Sequence, residues 1–203
     1  MGYTPPMSRR PRCESRHIDR DRGGFSMAEV LVVLVIFGIL GAIVGPRLNL
    51  SPARGSAAAT LSGSTLMAAQ RAAVSRQHNV VVAFDQATRR MRVHYDADND
   101  GRVETGEHVT WVALPEGVVF GRGGAPAGRA GSGAVSFRLR QDGFPAVFFM
   151  RNGSASEEGG FYLVSANAQA EGKAREARML VLDRATGRPS WHRYDGAKWK
   201  TEF

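Results

Sequence analysis

Between Val30 and Gly45 the chain runs for sixteen residues without a charge, and the five residues before that run, Phe25-Ser26-Met27-Ala28-Glu29, contain one acid. From Phe25 to Gly45 is 21 residues, which as a helix reach about 30 Å, the hydrocarbon thickness of a bilayer. A helix buried in a soluble core usually keeps one polar face; this run has none. A secretory signal peptide would have a shorter apolar region ending in small residues, whereas this run leaves through Gly45-Pro46-Arg47. Residues 1–24 carry six Arg against three acids. That excess predicts a cytoplasmic N-terminus and an exported C-terminal part.

Composition narrows the remainder. The 203 residues carry a net charge of +8, from 27 Lys and Arg against 19 acids. Residues 1–24 supply +3 of it, leaving about +5 for the rest. Such a balance describes a solvated surface better than a nucleic-acid footprint. The single cysteine, Cys13, precludes an intramolecular disulfide and a cysteine metal site. The 24 glycines suit short strands and turns better than a helical bundle.

Ser51-Pro52 reads as a helix start, with Ser at the cap and Pro in the first turn. From Ala57 to Gln77 a stripe of Ala58, Leu61, Thr65, Ala69, Ala72 and Ala73 predicts an amphipathic helix, weakened at Gly55 and Gly63. Beyond Asn79 the period changes to that of strands, expected at 80–84, 91–95, 108–114, 118–120, 134–139, 146–150, 161–165 and 178–182, with a weaker one at 191–194. The glycine-rich segment 121–133 reads as a mobile loop.

Gly24-Phe25-Ser26-Met27-Ala28-Glu29-Val30-Leu31 resembles the leader junction of type IV prepilins and type II secretion pseudopilins. The helix end Leu66–Val74, the strand Val80–Phe84 and the hairpin Asp183–Arg188 resemble the GspH/FimT group of minor pilins and pseudopilins. The resemblance implies an α+β, pilin-like fold: a long N-terminal helix, one half transmembrane and one half amphipathic, packed on an antiparallel β-sheet domain. It divides the chain into a cytoplasmic leader (1–24), a transmembrane helix (25–45), its amphipathic continuation (46–78) and a periplasmic β domain (79–203). It implies cleavage after Gly24, N-methylation of Phe25, and a helix-bending role for Pro46. The implied partners are a prepilin peptidase and N-methyltransferase, an inner-membrane assembly platform and other pilin-like subunits. A carboxylate at the edge of a membrane helix costs a few kcal/mol unless paired; in a filament, the amine of a neighbouring Phe25 is the expected partner of Glu29. A minor pseudopilin of type II secretion is the first expectation, and a minor pilin of a type IV pilus, binding DNA during uptake, the alternative.

Asp96 to Glu107 fits the twelve-residue EF-hand loop: carboxylates at positions one, three and five (Asp96, Asp98, Asp100), Gly101 at six, the Arg102 carbonyl at seven and Glu107 at twelve. The flanking segments read as strands, not helices. Two readings therefore stand, a structural calcium loop and a plain acidic turn. No cofactor is otherwise required.

His17, His78, His94, His108 and His192 fall in no catalytic or metal motif, and Gly121-Arg122-Gly123-Gly124 lacks the Lys-Ser/Thr of a phosphate loop. The expectation is a structural protein, not an enzyme. Arg184, Arg188, Arg193, Lys198 and Lys200, interleaved with Trp191, Tyr194 and Trp199, are the candidate DNA contacts. Pro189-Ser190 follow Arg188 where DNA-binding members of the resembled group place a second Arg.

Overall fold

The computed structural model describes Gly2, residues 25–44 and residues 51–202. Gly24, Gly45 and Pro46 lie outside the described residues. The chain divides into two compact units, residues 1–48 and 49–203.

In the first unit, α1 spans Met27–Val44. Ser26 caps it: the Ser26 hydroxyl accepts from the Glu29 amide at 3.2 Å, and the Ser26 carbonyl accepts from the Glu29 and Val30 amides. Ser26-Met27-Ala28-Glu29 has the spacing of a capping box, a local signal the sequence reading passed over. Every described side chain from Phe25 to Leu40 is exposed, Phe37 at 68% and Leu34 at 65%. Among the described residues no helix is long and apolar enough to cross a membrane. The 18 residues of α1 rise about 27 Å, just short of the roughly 30 Å hydrocarbon layer.

The second unit begins with α2, Ser51–Arg76. Its buried face is Gly55, Ala58, Ala59, Ser62, Gly63, Leu66, Ala69 and Ala73. The expected stripe is thereby turned: Leu61, Thr65 and Ala72 sit at its border, and the two glycines lie on the packing face. A Cβ on Gly63 would stand 2.8 Å from the Trp191 indole nitrogen, so the helix keeps Gly there to lie close to the sheet, at a propensity cost of about 1 kcal/mol.

Two antiparallel sheets follow and make up the expected antiparallel β domain. The first has the order β3-β2-β1-β6-β5, built from β1 (Asn79–Asp85), β2 (Arg90–Asp96), β3 (His108–Ala113), β5 (Arg140–Gln141) and β6 (Phe144–Phe149). The second has the order β10-β9-β8-β7-β4, built from β4 (Val118–Phe120), β7 (Gly159–Ser165), β8 (Arg178–Leu182), β9 (Pro189–Tyr194) and β10 (Trp199–Glu202). One apolar core joins α2 to both sheets, and its centre is aromatic. The Phe84 ring lies 5.3 Å from Phe137, 5.0 Å from Phe161 and 6.0 Å from Phe120.

Two expectations are corrected here. The segment 134–139 forms no strand; it makes a single bridge, Val135 to Phe161. It packs over the Gly159-Gly160 start of β7, where a Cβ on Gly160 would meet the Leu180 carbonyl at 1.9 Å. The segment 121–133 is a packed loop, with Ala125 and Ala130 buried. The buried Tyr162 hydroxyl accepts from the Gly128 amide at 2.8 Å and donates to the Gly131 carbonyl at 2.6 Å. The sequence reading missed α3 (Ala166–Glu171), signalled by Ser165 at its N-cap and Gly172 in the left-handed conformation at its C-cap. It also missed β10, which an Asp195-Gly196 turn folds back onto β9.

Removing the Phe84 ring should open a cavity between the sheets. Phe84→Ala is expected to lower the unfolding free energy of the full chain in detergent by about 3–5 kcal/mol in urea titrations. A loss below about 1 kcal/mol would show that the sheets are not held through this ring.

Candidate functional site

Two features of the chain have chemistry beyond packing: the start of α1 and the β2–β3 connection. At the first, Phe25 is 82% exposed, and Glu29 faces solvent one turn into the helix. Among the described residues the Glu29 carboxylate has no ion-pair partner. It sits in the first turn, where the exposed backbone amides already favour a negative charge.

At the second, β2 ends on Asp96, β3 opens on His108, and the two strands register Tyr95 against His108. The acidic loop is thus closed by strands. Its Asp residues fold it locally: the Gly101 amide donates to Asp96 Oδ2 at 3.0 Å, the Asp100 amide to Asp98 Oδ1 at 3.1 Å, and the Arg102 amide to Asp100 Oδ1 at 2.7 Å. Gly101 supplies φ +78° where the loop turns sharply.

One carboxylate oxygen from each of Asp96, Asp98 and Glu107 lies within 4.8 Å of the other two. Asp98, Asp100 and Glu104 form a second trio, wholly exposed. The structure therefore splits the expected ligand set: Asp100 belongs with the exposed trio and not with Asp96. Asp96 is fully buried, and among the described residues its Oδ1 has no hydrogen-bond partner. Burial pushes the Asp96 carboxyl above the usual carboxylate range, and the nearby Glu107 charge pushes the same way. Burial also raises Glu107, but the Ala97 and Glu104 amides and the His94 ring outweigh it and hold the group below its ordinary value.

Behind the loop runs a buried polar chain that no sequence motif announced. Gln141 Nε2 donates to the Gly101 carbonyl at 2.9 Å, and Gln141 Oε1 accepts from Arg92 at 3.1 Å. A carbonyl only accepts and a guanidinium only donates, so the amide orientation is fixed. His94 Nδ1, 2.9 Å from Gln141 Nε2, must then accept. His94 Nε2 carries the hydrogen given to Glu107 Oε2 at 2.6 Å. Arg92 closes the chain on Asp142 at 2.7 Å. The residues lie on β2, on β5 and in the loop, far apart in sequence, and only the sheet register β2-β1-β6-β5 brings them together.

The candidate DNA contacts are dispersed in role. Arg193 pairs with Glu202 at 3.2 Å and Lys200 with Asp195 at 2.9 Å, while Arg184, Arg188 and Lys198 are exposed. The aromatics among them are half-buried: Trp191 packs on Phe161, and Trp199 packs between Tyr162 and Tyr194 with its indole nitrogen donating to the Pro126 carbonyl.

Residues 19–45 match the prokaryotic N-terminal methylation motif. No curated protein matches the chain. Among solved structures, the minor pseudopilin EpsH from the type 2 secretion system of Vibrio cholerae aligns over 73% of this chain and 96% of its own, at 10% identity and a TM-score of 0.36. That likeness is too slight to bear on function. The methylation motif overlaps α1, and antiparallel sheets follow in the second unit.

Replacing the Gln141 amide by an apolar group of similar size should leave Gly101 O, His94 Nδ1 and Arg92 short of partners. Gln141→Leu is expected to lower stability by about 1–3 kcal/mol in urea titrations, while a change within about 0.5 kcal/mol would contradict the network described.

Proposed function

We propose that the chain is a structural subunit of a pilin-like filament, made as a precursor, cleaved after Gly24 and assembled through α1. The observation that carries this reading is the coincidence of the methylation motif over residues 19–45 with a capped helix, all of whose described side chains from 25 to 40 are exposed. A helix apolar on every face is unstable in water and is covered by lipid before assembly and by other helices after it. The arginine-rich leader supports a single-pass orientation in the inner membrane, with residues 1–24 cytoplasmic and the β domain periplasmic. Processing falls to a prepilin peptidase and N-methyltransferase, and assembly to an inner-membrane platform. No part of this role asks the chain for catalysis.

Of the two machines such a subunit could serve, a type II secretion pseudopilus is the reading adopted here. A DNA-uptake pilus would call for accessible stacking aromatics beside the exposed Arg184, Arg188 and Lys198, and Trp191 and Trp199 are engaged within the domain. In the assembled filament Glu29 meets the amine of a neighbouring Phe25, which offsets the desolvation of its carboxylate.

Glu29→Ala should leave leader cleavage intact and reduce recovery of the processed chain in sheared filaments, a separation read by immunoblotting both fractions. Unchanged incorporation would remove Glu29 from the assembly contact. For the machine itself, a deletion strain is expected to retain its exported enzymes in the periplasm. An unchanged supernatant together with lost twitching or DNA uptake would assign the subunit to a pilus instead.

A further inference from the structure

Apart from α1, the feature with the most unspent chemistry is the Asp96–Glu107 loop. We propose that it is a calcium site, with Asp96, Asp98 and Glu107 each giving one carboxylate oxygen and the Arg102 carbonyl at loop position seven as the expected fourth protein donor.

A cluster of acids on a turn is not in itself a site, and the trio of Asp98, Asp100 and Glu104 illustrates the point, since all three are open to solvent. Asp96 differs. It is 0% exposed, its Oδ2 accepts from the Gly101 amide, and among the described residues its Oδ1 has no hydrogen-bond partner. A buried carboxylate oxygen without a partner is costly, and here it stands within the trio formed with Asp98 and Glu107. A cation bound there would satisfy that oxygen and offset the repulsion between two carboxylates that are both withdrawn from water.

Lone-pair accounting fixes how the ligands bind. Glu107 already accepts from the Ala97 amide on Oε1 and from the Glu104 amide and His94 on Oε2. Of about four acceptor positions on a carboxylate, one remains, on Oε1. Glu107 is thus held as a one-oxygen ligand, oriented by His94 and Gln141 behind it, and not as the two-oxygen ligand of a helix-flanked loop. Asp96 contributes its free Oδ1, and Asp98 has Oδ2 in reserve beyond its bond to the Asp100 amide. An all-oxygen donor set on an irregular loop, completed by water, suits calcium, which takes 6–8 oxygens in flexible geometry. Magnesium demands a near-ideal octahedron. The ion would tie the end of β2 to the start of β3, a brace for an exported hairpin, whichever filament the chain joins.

The test is a calorimetric titration of chelator-stripped full chain in detergent with CaCl2, paired with thermal melts. Saturable binding of one ion and a rise in Tm of about 5–10 °C at a hundredfold excess over Kd are expected. Asp98→Asn, on the exposed part of the loop and remote from the core, should weaken affinity about tenfold or more. The proposal is overturned by the absence of both heat and Tm shift, by an Asp98→Asn chain that binds like the parent, or by an equal response to MgCl2.

Discussion

Helix α2 lies against both sheets only because its buried face carries so little bulk. Gly55, Ala58, Ala59, Ser62, Gly63, Ala69 and Ala73 present mostly backbone and methyl groups, with Leu66 as the one large apolar side chain among them. The bulk comes from the sheets instead. Trp191 from β9 fills the space left at Gly63, and the four rings of Phe84, Phe120, Phe137 and Phe161 fill the space between the sheets. Close packing of this kind is complementary, a small residue on one side for each large one on the other, so helix and sheets specify each other.

The two units obey opposite rules. Among the described residues of the second unit most large apolar side chains are inside, and a buried polar chain from Arg92 to Glu107 is satisfied almost completely. In α1 the described apolar side chains, up to Leu40, are outside and the one acid lies in the first helical turn. On the proposed reading, the lipid bilayer and then neighbouring helices cover the exposed apolar side chains of α1. The polar chain from Arg92 to Glu107 serves the loop, since its last member is the carboxylate that reaches Asp96 and Asp98.

Much of this was legible in the residues. Strands β1, β2 and β8 follow from runs of branched and aromatic side chains, and the N-terminal helix from its lack of charge. What escaped depended on contacts between distant segments. The loop 121–133 looks free until Tyr162, on β7, is seen to bond Gly128 and Gly131. Gly63 reads as a weak point in a helix until Trp191 arrives opposite it. Gln141 carries no motif, yet it decides the orientation of His94. The Asp96–Glu107 pattern was visible at once, but the register that buries Asp96 and separates Asp100 from it was not.

Whether α1 is the anchoring and assembly element of a processed pilin-like subunit is tested most directly by the mass of the intact mature chain, purified from its own cell membranes. That mass should correspond to a chain that begins at Phe25 and carries one added methyl group on its N-terminal amine. A chain that still begins at Met1, or one cut beyond Gly45 with α1 lost, would contradict it.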